Sequence, residues 1–387
     1  MAFKTKLTFV LLIVCSLFMF YFYLLCSTND CEQFKITGLS SWANITTSIN
    51  GSLESSMRLS VSNWGSRSPA SKTQVKRIRW ENAPPWLPED LQDGAVFANC
   101  EIKSCVIVNE LEAAHGVIIY MVSYQRLPPF PRPPGQVWVL FGLESPPHSN
   151  SQVFKHPVWQ SQINWTMTYR LDSTIPIPYG QTLHRPVREQ PDLKQILVKK
   201  TKLIAWVVSN CVTESQRRKY VQLLQTHLRE PVDIYGRCGT LDPGPGEGVF
   251  NTISEKYKFY LAFENSLCVD YVTEKFHQRQ NLNLIVIVRG GGNYSHFYPK
   301  KSLLDTNDFT TTKELAEYIH YLDRNNTAYL EYLSNKAPFV AKDSIYTMSN
   351  GVCEICKRLH EPIVQTCYKN IGNWWYQNAC HEPKDLL

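Results

Sequence analysis

Apolar residues fall into three regimes along this 387-residue chain. The first is one long, mainly apolar stretch from Leu7 to Leu25, with no charged residue inside it and Lys4 and Lys6 just before it. A helix of about 20 residues rising about 1.5 Å each spans a hydrocarbon core of about 30 Å. Phe20-Tyr21-Phe22-Tyr23 at the far end of the run suits an interfacial aromatic belt. Basic residues ahead of the span predict a cytosolic tail over 1–6 and an uncleaved transmembrane signal anchor over 7–25. The alternative is a cleaved signal peptide, whose apolar core is usually only about 7–15 residues long. The second regime, 26–75, is rich in Ser, Thr, Asn and Gly with no period, which predicts a flexible stem.

In the third regime the apolar residues come in short runs. Val106-Ile107-Val108, Val117-Ile118-Ile119-Tyr120 and Val137 to Leu143 read as strands, the last entered from the Pro-rich turn at 131–135. From Leu203 the alternation is clearer. Leu203–Val208 is a continuous apolar run, as in a strand covered on both faces. Thr213-x-x-Gln216 reads as a capping box opening a helix, with Tyr220, Leu223, Leu224 and Leu228 at helical spacing. Val232–Gly236, Tyr257–Phe263 and Leu284–Val288 are further strands, and Thr311-x-x-Glu314 opens a helix running towards Tyr332. Strands alternating with helices predict parallel α/β sheets. The expected division is 76–195, 196–350 and a Cys-containing segment over 351–387, with Arg188–Lys200 as connector. Two such halves around a cleft bind ligands at the carboxyl ends of their strands.

Composition adds less. An apolar content of 43% supports packed cores, and a formal charge of +6 with no dense basic run is no signal for nucleic acid. Sequons at Asn44, Asn50, Asn164, Asn293 and Asn325 together point to the secretory pathway. Twelve cysteines agree with an oxidising compartment. Cys353-x-x-Cys356 with His360 and Cys367 could hold zinc, but in the lumen disulfides are favoured. Cys100 and Cys105 form a second close pair, and four cysteines allow three connectivities.

The richest chemistry lies in Tyr257–Phe276, YKFYLAFENSLCVDYVTEKF. A strand ends at Phe263, Glu264-Asn265-Ser266 follows at once, and Asp270–Lys275 reads as the start of a helix. A helix N-terminus beside Lys275 favours a diphosphate. Carboxylates such as Glu264 and Glu274 accept several hydrogen bonds and suit hydroxyl-bearing ligands. On physical grounds alone, a capped and solvated helix is the competing explanation.

This segment closely resembles the signature of the α1,3/1,4-fucosyltransferase family. Lys202–Asn210, Arg217 with Tyr220 and Leu224, Tyr235-Gly236-Arg237, Trp138–Pro146, Asn164–Arg170 and Pro178-Tyr179-Gly180 resemble it too. The resemblance covers roughly 76–356. It implies a GT-B fold, two Rossmann-like domains facing a cleft, with acceptor bound by the first and GDP-fucose by the second. The implied reaction inverts GDP-β-L-fucose to an α-fucoside on the 3-hydroxyl of a GlcNAc residue, in an N-glycan antenna or core. By position, Glu144 resembles the catalytic base, and Arg217 and Lys275 the cations that hold the diphosphate. Glu274 resembles a ribose or fucose contact, while Asn210, Tyr257, Glu264, Asn265, Tyr271 and Thr273 complete the implied donor site. Anchor, stem and lumenal body match the layout of Golgi type II membrane enzymes. No DxD triplet occurs, so no cofactor is obligatory, although a divalent cation could stimulate. The resemblance also suggests pairing between N- and C-terminal cysteines.

Two stretches depart from the family. Leu284–Val288 lacks the usual proline and runs into Arg289-Gly290-Gly291-Gly292, and Tyr120-Met121-Val122-Ser123-Tyr124 replaces a His-rich stretch. The first motivates an alternative, a catalytically weak relative that binds GDP-sugar or glycan; the second points to unusual acceptor choice.

Overall fold

The computed structural model describes residues 74–128, 132–362 and 366–386. The expected tail, anchor and nearly all of the stem, with Asn44 and Asn50, lie outside them. Among the described residues no helix is long and apolar enough to cross a membrane.

Two wholly parallel sheets carry the architecture. The first runs β2 (Cys105–Ile107), β1 (Lys76–Trp80), β3 (Gly116–Tyr120), β4 (Val137–Gly142), β5 (Trp165–Thr168) and β6 (Ile175–Pro176). The second runs β12 (Leu304–Asp305), β11 (Ile285–Arg289), β10 (Tyr257–Phe263), β8 (Lys202–Val207) and β9 (Asp233–Tyr235). Every residue of β4 and β11 is buried, because elements cover both sheet faces; hence their unbroken apolar runs. A small antiparallel pair, β7 (Gln181–His184) with β13 (Phe339–Lys342), sits where the chain passes between the halves.

The expected strands form within a residue or two of their expected bounds. β1 could not be anticipated: in Lys76-Arg77-Ile78-Arg79-Trp80 only Ile78 is buried, and pairing with β2 on one side and β3 on the other sets it.

Two helix readings need correction. No capping box forms at Thr213: the helix begins at Arg217 behind Gln216, which is left-handed at φ 47°. Ser215 is engaged elsewhere, its N–H donating to Asn265 O at 3.0 Å and its Oγ to Glu264 O at 2.7 Å. Those tertiary bonds override the local motif. Thr311 does cap its helix, accepting from Glu314 N at 3.2 Å, but that helix ends at Arg324. Asn325 then caps a separate helix, Asn326–Lys336.

The boundary at 350/351 also moves. Helix Ser344–His360 runs through it, and Met348, Val352, Ile355 and Leu359 pack in the core of the first sheet with Ile371 and Trp375. Their three-and-four spacing makes one apolar stripe facing that sheet, so the chain from this helix through Trp375 belongs to the first half, while Cys380 and Asp385 beyond it tie back to the second. Cys100–Cys353 and Cys105–Cys356 disulfides fasten the helix to the first half.

Among the sequons, Asn293 is exposed and Asn325 half-buried. Asn164 is corrected: it is buried, its Oδ1 accepting from Trp138 N at 2.9 Å and its Nδ2 donating to Thr366 O at 3.1 Å. A glycan on that nitrogen is incompatible with this packing.

Candidate active site

Parallel strands all deliver their carboxyl ends to the same edge of a sheet, and here the two edges meet. β4 hands over to Leu143-Glu144-Ser145 and β10 to Glu264-Asn265-Ser266. Ser145 Oγ and Ser266 Oγ share a hydrogen bond of 2.9 Å. Leu171 N donates to Asp270 Oδ2 at 3.0 Å. Tyr179 OH donates to Leu143 O at 2.7 Å, which fixes the backbone next to Glu144. Tyr271 reaches across, its hydroxyl 3.5 Å from Glu144 Oε2 and its ring edge-on to Tyr169 and Tyr179.

Glu144 is half-buried. Burial pushes its carboxyl above the usual range, while Lys275, His148 and the Tyr271 hydroxyl pull the other way. A carboxylate so placed is a better proton acceptor than an exposed one.

Opposite it, Glu264 is fully buried. Its Oε1 accepts from Thr273 N and its Oε2 from Thr273 Oγ1, both at 2.8 Å, and Lys275 Nζ lies 3.5 Å from Oε2. Lys275 Nζ also reaches Glu274 Oε1 at 3.0 Å. Burial acts against each of these charges. In Glu264 burial prevails and its carboxyl stays raised, with Lys275 the largest opposing influence. Burial also pushes Glu274 up, but Lys275 more than offsets it and the group ends lowered. Burial pulls Lys275 down, and Glu264 with Glu274 brings it above the usual range. Lys275 is therefore a firmly charged cation facing the cleft.

The helix expected from Asp270 begins only at Glu274 and ends at His277, because Asp270 is left-handed at φ 58° and Tyr271 and Val272 turn into the interior. One turn carries little dipole, so Lys275 rather than a helix end supplies positive charge. Arg217 lies beside the same edge. It is buried, with Nη1 donating to Phe263 O at 2.6 Å and Nη2 to Asn210 O at 3.1 Å. Asn210 thus contributes its carbonyl, and its side chain is exposed. Two buried polar atoms have no hydrogen-bond partner here, Arg217 Nε and Asn265 Oδ1. A polar ligand at this edge would relieve that cost.

Tyr257 is not brought to the site. It opens β10 in register with Lys202, at the amino edge of the sheet, and its hydroxyl donates to Asp233 Oδ2 at 2.6 Å. The strand places it about 23 Å from Glu264, at roughly 3.3 Å per residue.

Several features escaped the sequence reading. Arg289 ends β11 buried, paired with Asp385 through Nε at 2.6 Å and Nη2 at 2.7 Å, and donates Nη1 to Ser215 O at 2.8 Å. It braces the loop that leads into Arg217. A lone arginine closing an apolar strand was the available signal. The Gly run has a steric cause. A Cβ on Gly291 would lie 2.5 Å from Cys268 O, one on Gly290 2.4 Å from Tyr294 OH, and one on Gly292 2.4 Å from Val272 Cγ2. The 264–272 loop lies directly on these glycines, so the run supports that loop. Cys268–Cys380 and Cys211–Cys238 disulfides further tie down the loops after β10 and β8. Cys105, Cys356 and His360 cluster, but the two sulfurs are bonded to each other and offer no thiolate pair for zinc.

The sequence matches the family description "Glycosyltransferase family 10 (fucosyltransferase) C-term" over residues 197–374 and "Fucosyltransferase, N-terminal" over 72–180. The 3-galactosyl-N-acetylglucosaminide 4-alpha-L-fucosyltransferase of Bos taurus is 38% identical over 287 residues, covering 72% of this chain and 74% of its own. The alpha-(1,3)-fucosyltransferase C of Drosophila melanogaster is 33% identical over 336 residues, covering 78% and 75%. The 4-galactosyl-N-acetylglucosaminide 3-alpha-L-fucosyltransferase of Homo sapiens is 33% identical over 374 residues, 92% of each chain. A crystal structure of an alpha1,3-fucosyltransferase with GDP-fucose superposes with a TM-score of 0.50 at 17% identity, over 79% of this chain and 96% of that one. That likeness concerns the fold, the GT-B-like pairing of parallel α/β halves.

Proposed function

This chain belongs to glycosyltransferase family 10, the fucosyltransferases, and is a glycosyltransferase; from that premise we propose that it moves L-fucose from GDP-fucose to the 3-hydroxyl of a GlcNAc residue in an N-glycan antenna or core. The observation that carries the reading is Glu144, a half-buried carboxylate with a raised pKa on the edge facing Lys275. In a single inverting displacement the acceptor oxygen attacks the anomeric carbon of the β-linked fucose. The bond from that carbon to the diphosphate oxygen breaks, and Glu144 takes the proton from the attacking hydroxyl. GDP leaves with its new charge stabilised by Lys275 and Arg217. The products are an α-fucoside, GDP and a proton held by Glu144. We assign Glu274 and Asn265 to the hydroxyls of the donor. No step requires a metal ion.

The Gly run suggests the alternative of a weak GDP-sugar or glycan binder, but it has a packing role beside the 264–272 loop. The four described disulfides support residence in an oxidising lumen, and we place the enzyme in the Golgi membrane as a single-pass type II protein. The test is incubation with GDP-fucose and GlcNAc-terminated, LacNAc, LacdiNAc and paucimannose acceptors. A fucosylated product is expected from wild type. Glu144→Gln should lower kcat at least 100-fold while sparing GDP binding, the scale of losing general base catalysis. GDP binding without product from any acceptor would favour the binding-protein reading. Retained turnover in Glu144→Gln would remove it as the base.

A further inference from the structure

One large aromatic side chain at the carboxyl edge of the first sheet is not absorbed by this mechanism. Trp86 is 51% exposed. It sits in the loop following β1, and β1 pairs with β3, which pairs with β4, the strand that delivers Glu144. Its ring stands edge-on to Tyr120 at 6.0 Å and tilted against Phe141 at 6.4 Å. Phe141 in turn packs on Trp80 at 5.4 Å and Tyr120 at 5.7 Å. Glu144 follows Phe141 by three residues, about 10 Å at the rise of a strand. Glu144 is close enough that its charge acts on the Tyr120 phenol.

The exposure is built rather than incidental. Asn82 pins the start of the loop to β3 with two hydrogen bonds, Nδ2 to Tyr120 O at 2.7 Å and Tyr120 N to Oδ1 at 2.9 Å. Pro84 and Pro85 stiffen the approach, and Leu87 N bonds back to Pro84 O at 3.0 Å. Leu87 and Leu91 on the far side are buried. The loop is thus anchored before and after a tryptophan whose outer surface stays in water. Met121 and Tyr124, in the neighbouring loop after β3, are both buried. Trp138, Trp159, Trp206 and Trp375 are consumed by the core, and Trp86 is not.

We propose that Trp86 is the platform on which one pyranose ring of the acceptor glycan lies, orienting its nucleophilic hydroxyl towards Glu144. A pyranose presents an apolar face of C–H groups and a rim of hydroxyls. A rigid exposed indole matches that face at little entropic cost, while the polar edge of the cleft takes the rim. This inference rests on the fucosyltransferase reading, and it names the group that recognises the acceptor within it.

The test compares Trp86→Ala and Trp86→Phe with wild type in the full-length, detergent-solubilised protein. Acceptor KM is measured with LacNAc and with a paucimannose glycan, and GDP-fucose KM separately. Saturation-transfer NMR of the same free glycans on each protein gives a readout independent of turnover. Trp86→Ala should raise acceptor KM at least 10-fold and abolish transfer to the sugar ring protons. Its GDP-fucose KM and melting temperature should be those of wild type, and Trp86→Phe should restore most of the loss. Unchanged acceptor KM and unchanged saturation transfer in Trp86→Ala would overturn the platform while leaving the fucosyltransferase reading intact. A wild type that makes no product, yet shows saturation transfer that Trp86→Ala loses, would refute the transferase reading and keep the platform.

Discussion

Replacing Glu264 by glutamine removes one negative charge from the interior and leaves the shape nearly unchanged. The two carboxylate oxygens accept separate bonds from Thr273, from its N–H and its Oγ1, each 2.8 Å long. A glutamine has one acceptor oxygen, so one of those donors must face an NH2 group. A buried donor left unsatisfied costs about 1–3 kcal/mol. Lys275 also loses its 3.5 Å partner, and removing one member of a buried ion pair costs about 3–5 kcal/mol. Because burial holds the Glu264 carboxyl above its usual range, the neutral variant recovers part of the cost of burying a charge. The net loss is set near the lower limit, about 3 kcal/mol, or roughly 5 °C in melting temperature for a unit of this size. Lys275 keeps Glu274 as a partner but is no longer held from the interior side. The KM for GDP-fucose should rise at least 10-fold even at temperatures where the variant is fully folded. Thermal unfolding followed by circular dichroism, with donor kinetics well below the transition, reads both effects. A variant that melts within about 1 °C of wild type with an unchanged donor KM would refute the reasoning that Glu264 organises Lys275.

Two further predictions concern protonation and packing. As the proposed base, Glu144 must be ionised to accept a proton, so kcat/KM should fall as pH drops through its raised pKa. Lys275 lowers that pKa, and Lys275→Gln should move the acid limb to higher pH, read from the position of the limb rather than its height. A limb that stays in place would uncouple the two residues. Gly291→Ala sets a Cβ against the backbone of Cys268 at 2.5–2.8 Å and should cost about 1–3 kcal/mol, weakening GDP binding as the loop shifts. Gly290→Ala first meets the hydroxyl end of Tyr294 and should be milder; the reverse order in denaturant midpoints would contradict the packing role.

Much of the architecture is legible in the chain because both sheets are parallel and covered. Their strands are written as solid runs, such as Leu203–Val208, that need no partner to recognise. Lys76–Trp80 is not written that way, since a strand with one buried side chain is defined by its neighbours. The capping box at Thr213 shows the same limit from the other side: a valid local motif lost to bonds with Glu264 and Asn265, some 50 residues away. At the site, Glu264, Thr273, Glu274 and Lys275 were legible as a cluster within one segment, and Glu144 only through family resemblance. Tyr257 fell with them because the signature spans a whole strand, and a strand has two ends. Arg289 and Trp86 depend on contacts with Asp385 and with Tyr120 that no spacing rule connects.

The return of helix Ser344–His360 to the first sheet imposes a timetable on synthesis. Cys100 and Cys105 find their partners 253 and 251 positions later, with the entire second sheet between them. At about 5–20 residues per second, their thiols wait roughly 12–50 s while the rest of the chain emerges. Cys211 and Cys238, only 27 apart, are both out of the ribosome within a few seconds of each other. The second sheet's Cys211–Cys238 bond is thus free to form first, while the earlier-made half stands open until helix Ser344–His360 arrives and Cys268 waits longer still, for Cys380. During that interval the unpaired cysteines near the start are exposed to wrong partners, and a chain cut short before residue 353 has no means of closing them correctly.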